Sequence, residues 1–184
     1  MASASTTVEI EPLTSKHIDA ALHAAHESVE DVYPWMEWCR PGLQRSDVAS
    51  MVSALEDAAA KGEAYAFAAV DSATGAFLGQ LTLNRIDRAN RFANLNCWVR
   101  SSKKGRGKAT QASKLVCHYG VEKLGLERIG ILIAEGNVTS QRVAEKLGAT
   151  PEGILRNAIR LHDRQMNATQ YSIIPSDLAD FRAA

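Results

Sequence analysis

Cysteine is scarce in this sequence. Only three cysteines occur among 184 residues, and Cys39, Cys97 and Cys117 lie far apart. An odd number at this spacing forms neither a disulfide framework nor a CxxC metal site. We therefore expect three buried thiols, no bound metal and a reducing, cytoplasmic setting.

Long apolar runs are missing as well. No uncharged apolar stretch approaches the roughly 18 residues of a membrane-spanning helix. Residues 1–7 lack the basic and apolar regions of a secretory signal, so we expect no membrane partner. The length favours a single domain over residues 8–178, with a disordered tail over 1–7 and a C-terminal tail over 179–184.

The chain has no excess of either charge. Lysine plus arginine and aspartate plus glutamate each count 21, so the formal net charge is zero. This balance disfavours a generally basic nucleic-acid-binding protein, although it leaves a local basic patch open. Hydrophobic residues make up 46% of the chain, which is enough to build a core without disulfides or metals.

The apolar periodicity predicts a mixed α/β (α+β) fold. Seven segments have the patterns of strands, and four have the patterns of helices. We expect one central, mostly antiparallel sheet with helices on both faces, whose parallel part is the strand–helix–strand unit over 91–134. The predicted strands are 8–13, 65–71, 76–86, 91–100, 128–134, 153–161 and 166–174. The predicted helices begin at Thr14 or Ser15, at Ser46, at Lys108 and at Asn137 or Thr139.

The segment from Trp98 to Thr110 has the composition of an anion-binding loop. It leaves a strand, passes Gly105 and Gly107 and opens a helix, whose first N–H groups are unpaired and carry a partial positive charge. Glycine lets the backbone turn tightly and approach a ligand, and the basic side chains of Lys103, Lys104, Arg106 and Lys108 add charge. The patterns GxxxxGK[ST] and GxGxxG are absent, which disfavours ordinary ATP and dinucleotide sites. A solvated basic loop remains the alternative.

A second polar segment follows the next predicted strand. Asn137 and Ser140 stand at the start of a short helix, where both could be plain capping residues. However, the strands that precede the two segments are expected to be parallel neighbours, so both segments belong to the same edge of the sheet. A ligand could therefore enter between the two strand ends.

The two segments together resemble a known family. Lys104-Gly-Arg-Gly-Lys-Ala109 resembles the Q/R-x-x-G-x-G/A signature of the GNAT acetyl-CoA-dependent N-acetyltransferases. Asn137-Val-Thr-Ser140, followed by Arg142-Val-Ala-Glu-Lys-Leu-Gly148, is similar to a motif of their RimJ/RimL-type branch, the ribosomal-protein N-acetyltransferases. The resemblance covers residues 8–178 and includes the runs 33–38 and 152–158, with His162, Tyr171 and Pro175.

The resemblance implies a GNAT-like sheet, splayed between two neighbouring parallel strands. It also implies acetyl transfer from acetyl-CoA to a primary amine, either a protein N-terminal α-amine or a small amine, by direct attack in a ternary complex. Acetyl-CoA is then the only co-substrate, and no metal is needed. Two alternatives stay open: a non-catalytic CoA-binding or sensor domain, and a nucleic-acid-binding module that uses the 103–108 loop.

The resemblance further assigns residues to coenzyme A. Backbone amides of the loop should hold the pyrophosphate, the strand end should pair with the pantetheine arm, Asn137 should bond the arm from the other side, and Ser140 should donate to the leaving thiolate. The full set expected to bind the cofactor is Trp98, Val99, Lys104, Gly105, Arg106, Gly107, Lys108, Ala109, Thr110, Asn137 and Ser140. Trp35 and Trp38, in a proline-broken aromatic loop, could line the acceptor pocket or cover the edge of the core.

The chain departs from the family pattern in three positions. Lys104 stands where Gln or Arg is usual, Asn94 stands where relatives often have Glu, and Ile159 falls where some relatives place a catalytic base. The base is therefore open, with Asp87, Glu135 and His162 as candidates. His162 sits in a predicted hairpin turn, where a solvated side chain is the expected reading. The oligomeric state, monomer or homodimer, is open too.

Overall fold

The computed structural model of the chain describes residues 7–181. The tail predicted over 1–7 lies outside them except for its last residue, and so does the end of the tail predicted over 179–184. Seven strands and five α-helices follow one another along the described chain. The strands are β1 (Val8–Pro12), β2 (Tyr65–Asp71), β3 (Phe77–Asp87), β4 (Phe92–Val99), β5 (Arg128–Ala134), β6 (Thr150–Leu161) and β7 (Arg164–Ile173). The helices are α1 (Ile18–His26), α2 (Val29–Val32), α3 (Arg45–Lys61), α4 (Lys108–Leu124) and α5 (Val138–Leu147). Short 3-10 turns cover Ser15–His17, Ser101–Lys103 and Pro175–Phe181.

All seven strands form one sheet, in the order β1-β2-β3-β4-β5-β7-β6. Every neighbouring pair is antiparallel except β4 and β5, which run parallel. Because α4 connects these two strands, the parallel pair is the strand–helix–strand unit that the sequence predicts. The predicted mixed, mostly antiparallel sheet is confirmed.

The parallel pair is splayed. Its register comprises only Phe92–Arg128, Ala93–Ile129 and Asn94–Gly130, after which no pairing joins the two strands. On its other side β5 pairs with β7 all the way to Ala134. The carboxyl-terminal halves of β4 and β5 therefore separate while each stays anchored to its outer neighbour, which is the opening that the family resemblance implies.

Helices pack on both faces of the sheet, around two apolar clusters. On one face α4 and α5 bury residues such as Val116 and Leu147 against Leu81 and Ile129. On the opposite face α1, α2 and α3 cover a second cluster, which the sheet enters through Ala68, Val70, Phe77 and Trp98. The two clusters keep the central strands β2, β3 and β4 fixed, so the opening beside β4 has one rigid wall.

Several element boundaries differ from the sequence predictions, most of them by one or two residues. Helix α3 begins at Arg45 rather than after Ser46, because Gln44 is its N-cap and donates its own N–H to Asp47 at 2.9 Å. The short helix α2, which was not predicted, ends at Val32, where the proline-broken aromatic segment begins. Strand β6 begins at Thr150, three residues early. Pro151 is tolerated there because β6 is an edge strand, which needs no second ladder of hydrogen bonds.

In the part of the chain that the structure describes, no helix combines the length and the apolar character needed to cross a bilayer.

Candidate active site

The end of β4 forms one wall of the opening. Trp98 and Val99 pair with Gln80 and Gly79 of β3, while the opposite edge of β4 has no strand partner beyond Asn94. A side chain at Gly79 would collide with the Trp98 carbonyl and would lie 2.9 Å from the Val99 Cα, so only glycine allows this close approach. The free edge is held rigidly and can accept an extended, amide-bearing ligand as an added strand.

The loop before α4 meets the geometric requirements of an anion site. Gly105 and Gly107 adopt φ values of 74° and 71°, the left-handed region that glycine enters without strain. Gly107 is the N-cap of the 17-residue helix α4, and no side chain caps that helix. The first-turn N–H groups are thus left for a ligand, at the positive end of the helix dipole. A diphosphate fits this arrangement.

The basic side chains of the loop have different surroundings. The Lys104 Nζ lies 2.5 Å from Asp31 Oδ1, and Arg106 is exposed. Lys108 is only 8% exposed. Burial raises the pKa of the Asp71 carboxyl, but hydrogen bonds from Ala73 and Thr74, together with the charge of Lys108, lower it below its usual value. The Lys108 side chain therefore faces the protein, and its predicted part in binding phosphate concerns its backbone amide.

The second motif stands at the tip of β5. Asn137 is the N-cap of α5, and its Oδ1 accepts a 3.1 Å hydrogen bond from the Ser140 N–H. Capping is therefore real, and it occupies the carbonyl oxygen of Asn137, which leaves the Nδ2 group as the donor for a ligand. Ser140 lies in the first turn of α5 and is half-buried. Both residues stand at the end of the strand that diverges from β4.

The two tryptophans proposed for the acceptor pocket are separated by the structure. A β-carbon on Gly136 would lie 3.6 Å from Trp35 Cη2, so Trp35 reaches the turn between β5 and α5. Trp38 instead packs on Trp98, with ring centroids 5.2 Å apart at 59°, and joins the core on the α1 face. Beside Trp38 lies a cavity of about 320 Å³, whose other lining residues are Arg40, Leu43, Asp47, Val48, Ser50 and Met51.

His162, in the β6–β7 turn, packs against the segment that contains Tyr33 and Glu37. Its Nε2 lies 2.9 Å from the Tyr33 carbonyl oxygen, its N–H donates to Glu37, and its ring meets the Tyr33 ring edge-on at 4.6 Å. The expectation of a solvated histidine is therefore wrong. Hairpin turns are usually exposed, but this one docks on a segment about 130 positions earlier in the chain, which no local pattern reveals.

The remaining base candidates are sorted by their positions. Asp87 pairs with Phe92 at the start of β4, the end remote from Val99, and its carboxylate caps the turn at Asn90. Asp87 is thus too far along the strand to act in the opening. Glu135 directly follows β5 at the tip, is exposed, and lies 3.4 Å from Asn167 Nδ2. Glu135 is the carboxylate that stands at the opening.

The cysteine thiols are poor nucleophiles in this structure. Burial raises the pKa of the Cys39 thiol and of the Cys97 thiol to about 11, and that of Cys117 to about 12. All three are therefore protonated near neutral pH. A thiolate is the reactive form, so an acyl-enzyme on Cys97 is disfavoured relative to direct attack.

Two acidic residues at the site carry no sequence signal. Glu27 and Asp31, in the α1–α2 region, hold the chain that leads into the glycine loop through Arg100, Ser101, Ser102 and Lys104. These partners lie 70 or more positions away, and carboxylates on a helix usually face solvent. Among residues 7–181, no group of three or more His, Cys, Asp or Glu side chains is arranged to hold a metal ion.

A splayed parallel pair, an uncapped helix behind a glycine loop and a polar cap on the facing strand are the features that the family resemblance implies. A family model described as the acetyltransferase (GNAT) domain matches residues 7–150, and the chain belongs to that family. The predicted resemblance to the RimJ/RimL-type branch is confirmed by the similar proteins.

Three of these similar proteins represent the branch and its neighbourhood. The ribosomal-protein-serine acetyltransferase of Escherichia coli (strain K12) is 30% identical over 97 residues, which are 53% of this chain and 54% of that protein. A Bacillus licheniformis protein named as N-acetyltransferase p20 is 24% identical over 88% of this chain and 90% of its own length. The structure of Mycobacterium smegmatis RimJ in complex with CoA-disulfide superposes with a TM-score of 0.87 at 23% identity, covering 95% of this chain and 85% of that one. The alignment with the E. coli protein thus spans about half of its length.

Proposed function

We propose that this chain transfers the acetyl group of acetyl-CoA to the α-amine at the N-terminus of a protein. The observation that carries the proposal is the opening between β4 and β5, with the glycine loop and α4 at one side and Asn137 at the other. The amine nitrogen attacks the thioester carbonyl, the C–N bond forms, and the C–S bond breaks. The amine passes its proton to water or a carboxylate, and the departing thiolate takes up a proton from water to become the CoA thiol.

The chain supplies the binding groups for coenzyme A. The backbone amides of Arg106, Gly107, Lys108 and Ala109 would hold the pyrophosphate, because the helix end is uncapped and both loop glycines permit close approach. Lys104, Gly105 and Thr110 complete the loop. On the other side, the free edge at Trp98 and Val99 would pair with the pantetheine arm, and the Nδ2 group of Asn137 would donate to it.

The reaction needs a proton acceptor for the amine, hydrogen-bond donors for the oxyanion and a donor for the leaving sulfur. An α-amine has a pKa near ~8, so a useful fraction is already neutral at pH 7, whereas a lysine amine near ~10.4 would need a stronger base. Glu135, at the tip of β5, is the carboxylate suited to accept the proton, directly or through water. The N–H groups at the end of β4 would stabilise the oxyanion. Ser140 would donate a hydrogen bond to the leaving sulfur.

The side chains on one face of β3 and β4 favour a peptide acceptor. The cross-strand pairs Gln80–Trp98, Thr82–Asn96 and Asn84–Asn94 lie on the same face, because side chains alternate along a strand. This is the face that carries Trp98 and the α1–α3 layer. All of these side chains are neutral. Gln80, Thr82 and Trp98 are buried, whereas Asn84, Asn94 and Asn96 are not, and their amides match the donors and acceptors of a peptide backbone. A polyamine would instead need a row of carboxylates here.

The experiment that tests this function is an acetylation screen. Purified protein and acetyl-CoA are incubated with peptides of varied first residue and with small amines, including an amino sugar and a polyamine, and products are identified by mass spectrometry. We expect acetylated peptide N-termini, with lysine side chains unmodified. CoA binding without turnover of any amine would favour the sensor domain, which the missing glutamates at Asn94 and Ile159 would then explain.

The relatives that are named as ribosomal-protein acetyltransferases suggest a cellular location for this chain. A ribosomal-protein acetyltransferase works where ribosomal proteins are made, so we propose a cytoplasmic location for this chain too. A monomer or a homodimer would both serve, because the proposed residues all come from one chain.

A further inference from the structure

Residues 27–38, which we call the acceptor segment, contact the chain before the glycine loop, the turn at the tip of β5 and the β6–β7 turn. Glu27 and Asp31 bind residues 100–104, the chain that enters the glycine loop. Trp35 reaches Gly136, beside Asn137. Tyr33 and Glu37 bind His162 at the β6–β7 turn. One continuous stretch therefore connects the CoA side of the site to the acceptor side.

The Glu27 contact is firm. Arg100 donates from Nε to one carboxylate oxygen at 2.8 Å and from Nη2 to the other at 2.5 Å, and the Ser102 hydroxyl adds a 2.8 Å bond. The side chains of Arg100 and Glu27 are only 16% and 25% exposed. Hydrogen bonding from Arg100, opposed by burial and assisted by Ser102, lowers the pKa of Glu27 to about 2. This pair stays ionised and closed over the working pH range.

The Asp31 contact is weaker and lies nearer to the glycine loop. Asp31 accepts hydrogen bonds from the Ser101 hydroxyl and from the Lys104 ammonium. The side chain of Asp31 is 43% exposed and that of Lys104 is 39% exposed. An exposed pair of this kind is screened by water and is easily adjusted. The ammonium has three N–H donors, so Lys104 can keep one on Asp31 and offer another to a phosphate oxygen.

We propose that Glu27 and Asp31 are positioning residues that couple CoA binding to the placement of the acceptor segment. Glu27 holds the loop entrance at all times. Lys104 bridges Asp31 and the pyrophosphate when CoA binds, and this bridge draws α2 and the turn that follows it into their bound positions. The inference rests on the proposed function, since it needs CoA in the loop. Because coupling is reciprocal, bound CoA must raise the affinity for the acceptor by the same factor by which bound acceptor raises the affinity for CoA.

The coupling can be measured without knowing the acceptor. Hydrogen–deuterium exchange of the full chain is followed by mass spectrometry with and without CoA. Two sets of amides are compared: those of the loop, 104–110, and those of residues 29–36, which include the bonds from Tyr33 N–H to Val29 O and from Met36 N–H to Val32 O. We expect CoA to slow exchange in both sets of the natural protein, by about fivefold or more in residues 29–36.

Three variants isolate the contact. Asp31→Asn removes the charge that holds Lys104 and should keep the CoA-induced slowing at 104–110 while losing it at 29–36. Asp31→Glu keeps a carboxylate and should restore much of it, which a merely structural loss would not do. Asp19→Asn is the matched control, because it breaks an exposed ion pair on the neighbouring helix α1, with Arg45 at 2.7 Å, away from the loop.

The outcomes separate this inference from the proposed function. If CoA leaves exchange unchanged at 104–110 in the natural protein, CoA binding in the loop fails and the proposed function fails with it. If CoA slows exchange at 104–110 but not at 29–36, or slows both equally in Asp31→Asn, the coupling is overturned while the function stands. Slowing at both sets in the natural protein, in Asp31→Glu and in Asp19→Asn, but only at the loop in Asp31→Asn, supports it.

Discussion

Gly79 and Trp98 meet backbone to backbone at the wall of the opening. A β-carbon on Gly79 would run into the Trp98 carbonyl and would lie 2.9 Å from the Val99 Cα, and neither obstacle is a side chain that could turn aside. The contact holds β3 close to the last residues of β4, so the opposite edge of β4 stays straight and free for a ligand.

The first prediction concerns this contact. Gly79→Ala should lower the free energy of unfolding by about 2–3 kcal/mol, because the clash forces the backbone of β4 to move. The same movement should weaken CoA binding. Denaturant unfolding and calorimetry with CoA would measure the two effects.

Gly120→Ala is the matched control for Gly79→Ala. The new β-carbon in α4 would meet only the ends of the Ile129, Leu126 and Leu83 side chains at 3.0–3.3 Å, which can give, and alanine favours the helix over glycine by about 1 kcal/mol. We expect a small effect on stability. Equal losses in the two variants would contradict the account of Gly79.

The second prediction tests the glycine loop. Gly107→Val should lower the affinity for CoA about tenfold or more by calorimetry, because a left-handed φ of 71° costs a side chain roughly 1–2 kcal/mol and a distorted N-cap misplaces the amides. Gly125→Val introduces the same kind of strain at the other end of α4, where φ is 66°. It should reduce stability and leave CoA affinity intact, and unchanged affinity in Gly107→Val would count against the loop as the phosphate site.

The third prediction separates the two uses of Asn137. Asn137→Ala removes the cap of α5 and should cost about 1 kcal/mol of stability as well as raising the KM for acetyl-CoA. Asn137→Asp keeps an oxygen for the Ser140 N–H but loses the Nδ2 donor. It should therefore retain stability and still raise the KM. If steady-state kinetics show a normal KM for Asn137→Asp, the residue is only a cap.

The fourth prediction concerns acid. Hydrogen bonds from Arg100 lower the pKa of Glu27 to about 2, against burial, and those from Arg128 do the same for Glu152. A carboxyl group with a lowered pKa in the folded state stabilises the protein above its unfolded pKa of 4.5 and loses that contribution as the pH falls toward 2. Thermal unfolding should therefore show Tm falling between these values.

Single substitutions separate the contributions of Glu27 and Glu152 to the loss of stability in acid. Glu27→Gln and Glu152→Gln should each flatten the fall, by at most about 1.4 kcal/mol per pH unit. Only Glu27→Gln should also weaken CoA binding, because Glu152 lies on β6 and holds Arg128 and Ser172, remote from the loop. An acid profile identical to that of the natural protein in both variants would contradict the assignment.

The fifth prediction concerns the two tryptophans of the acceptor segment. Trp35→Ala should raise the KM for a peptide acceptor several-fold and change the KM for acetyl-CoA less, because Trp35 stands at the β5–α5 turn and not in the glycine loop. Trp38→Ala, which empties a core contact with Trp98, should act chiefly on stability. Steady-state kinetics with thermal unfolding distinguishes the two, and a reversed pattern would assign the acceptor contact to Trp38.

The local pattern was sufficient for elements that are apolar along nearly their whole length or that end at glycine. Strand β2, helix α4 and strand β5 have the predicted bounds, and Gly62, Gly125 and Gly148 end helices in the left-handed conformation. These features depend on neighbours within a few residues, so the chain order itself specifies them. The parallel pairing followed too, since a strand–helix–strand unit leaves few other arrangements.

The sequence by itself thus determined the strands, the helices, the glycine loop and the resemblance that identifies the family. Only the tertiary structure decided that Lys104 pairs with Asp31 and that His162 packs on Tyr33. It also decided that Trp35 lies beside Gly136 while Trp38 packs on Trp98. Each of these contacts joins residues that are remote in sequence or depends on which way a single side chain turns. No periodicity encodes such a contact, because its free energy appears only when the sheet has brought the two segments together.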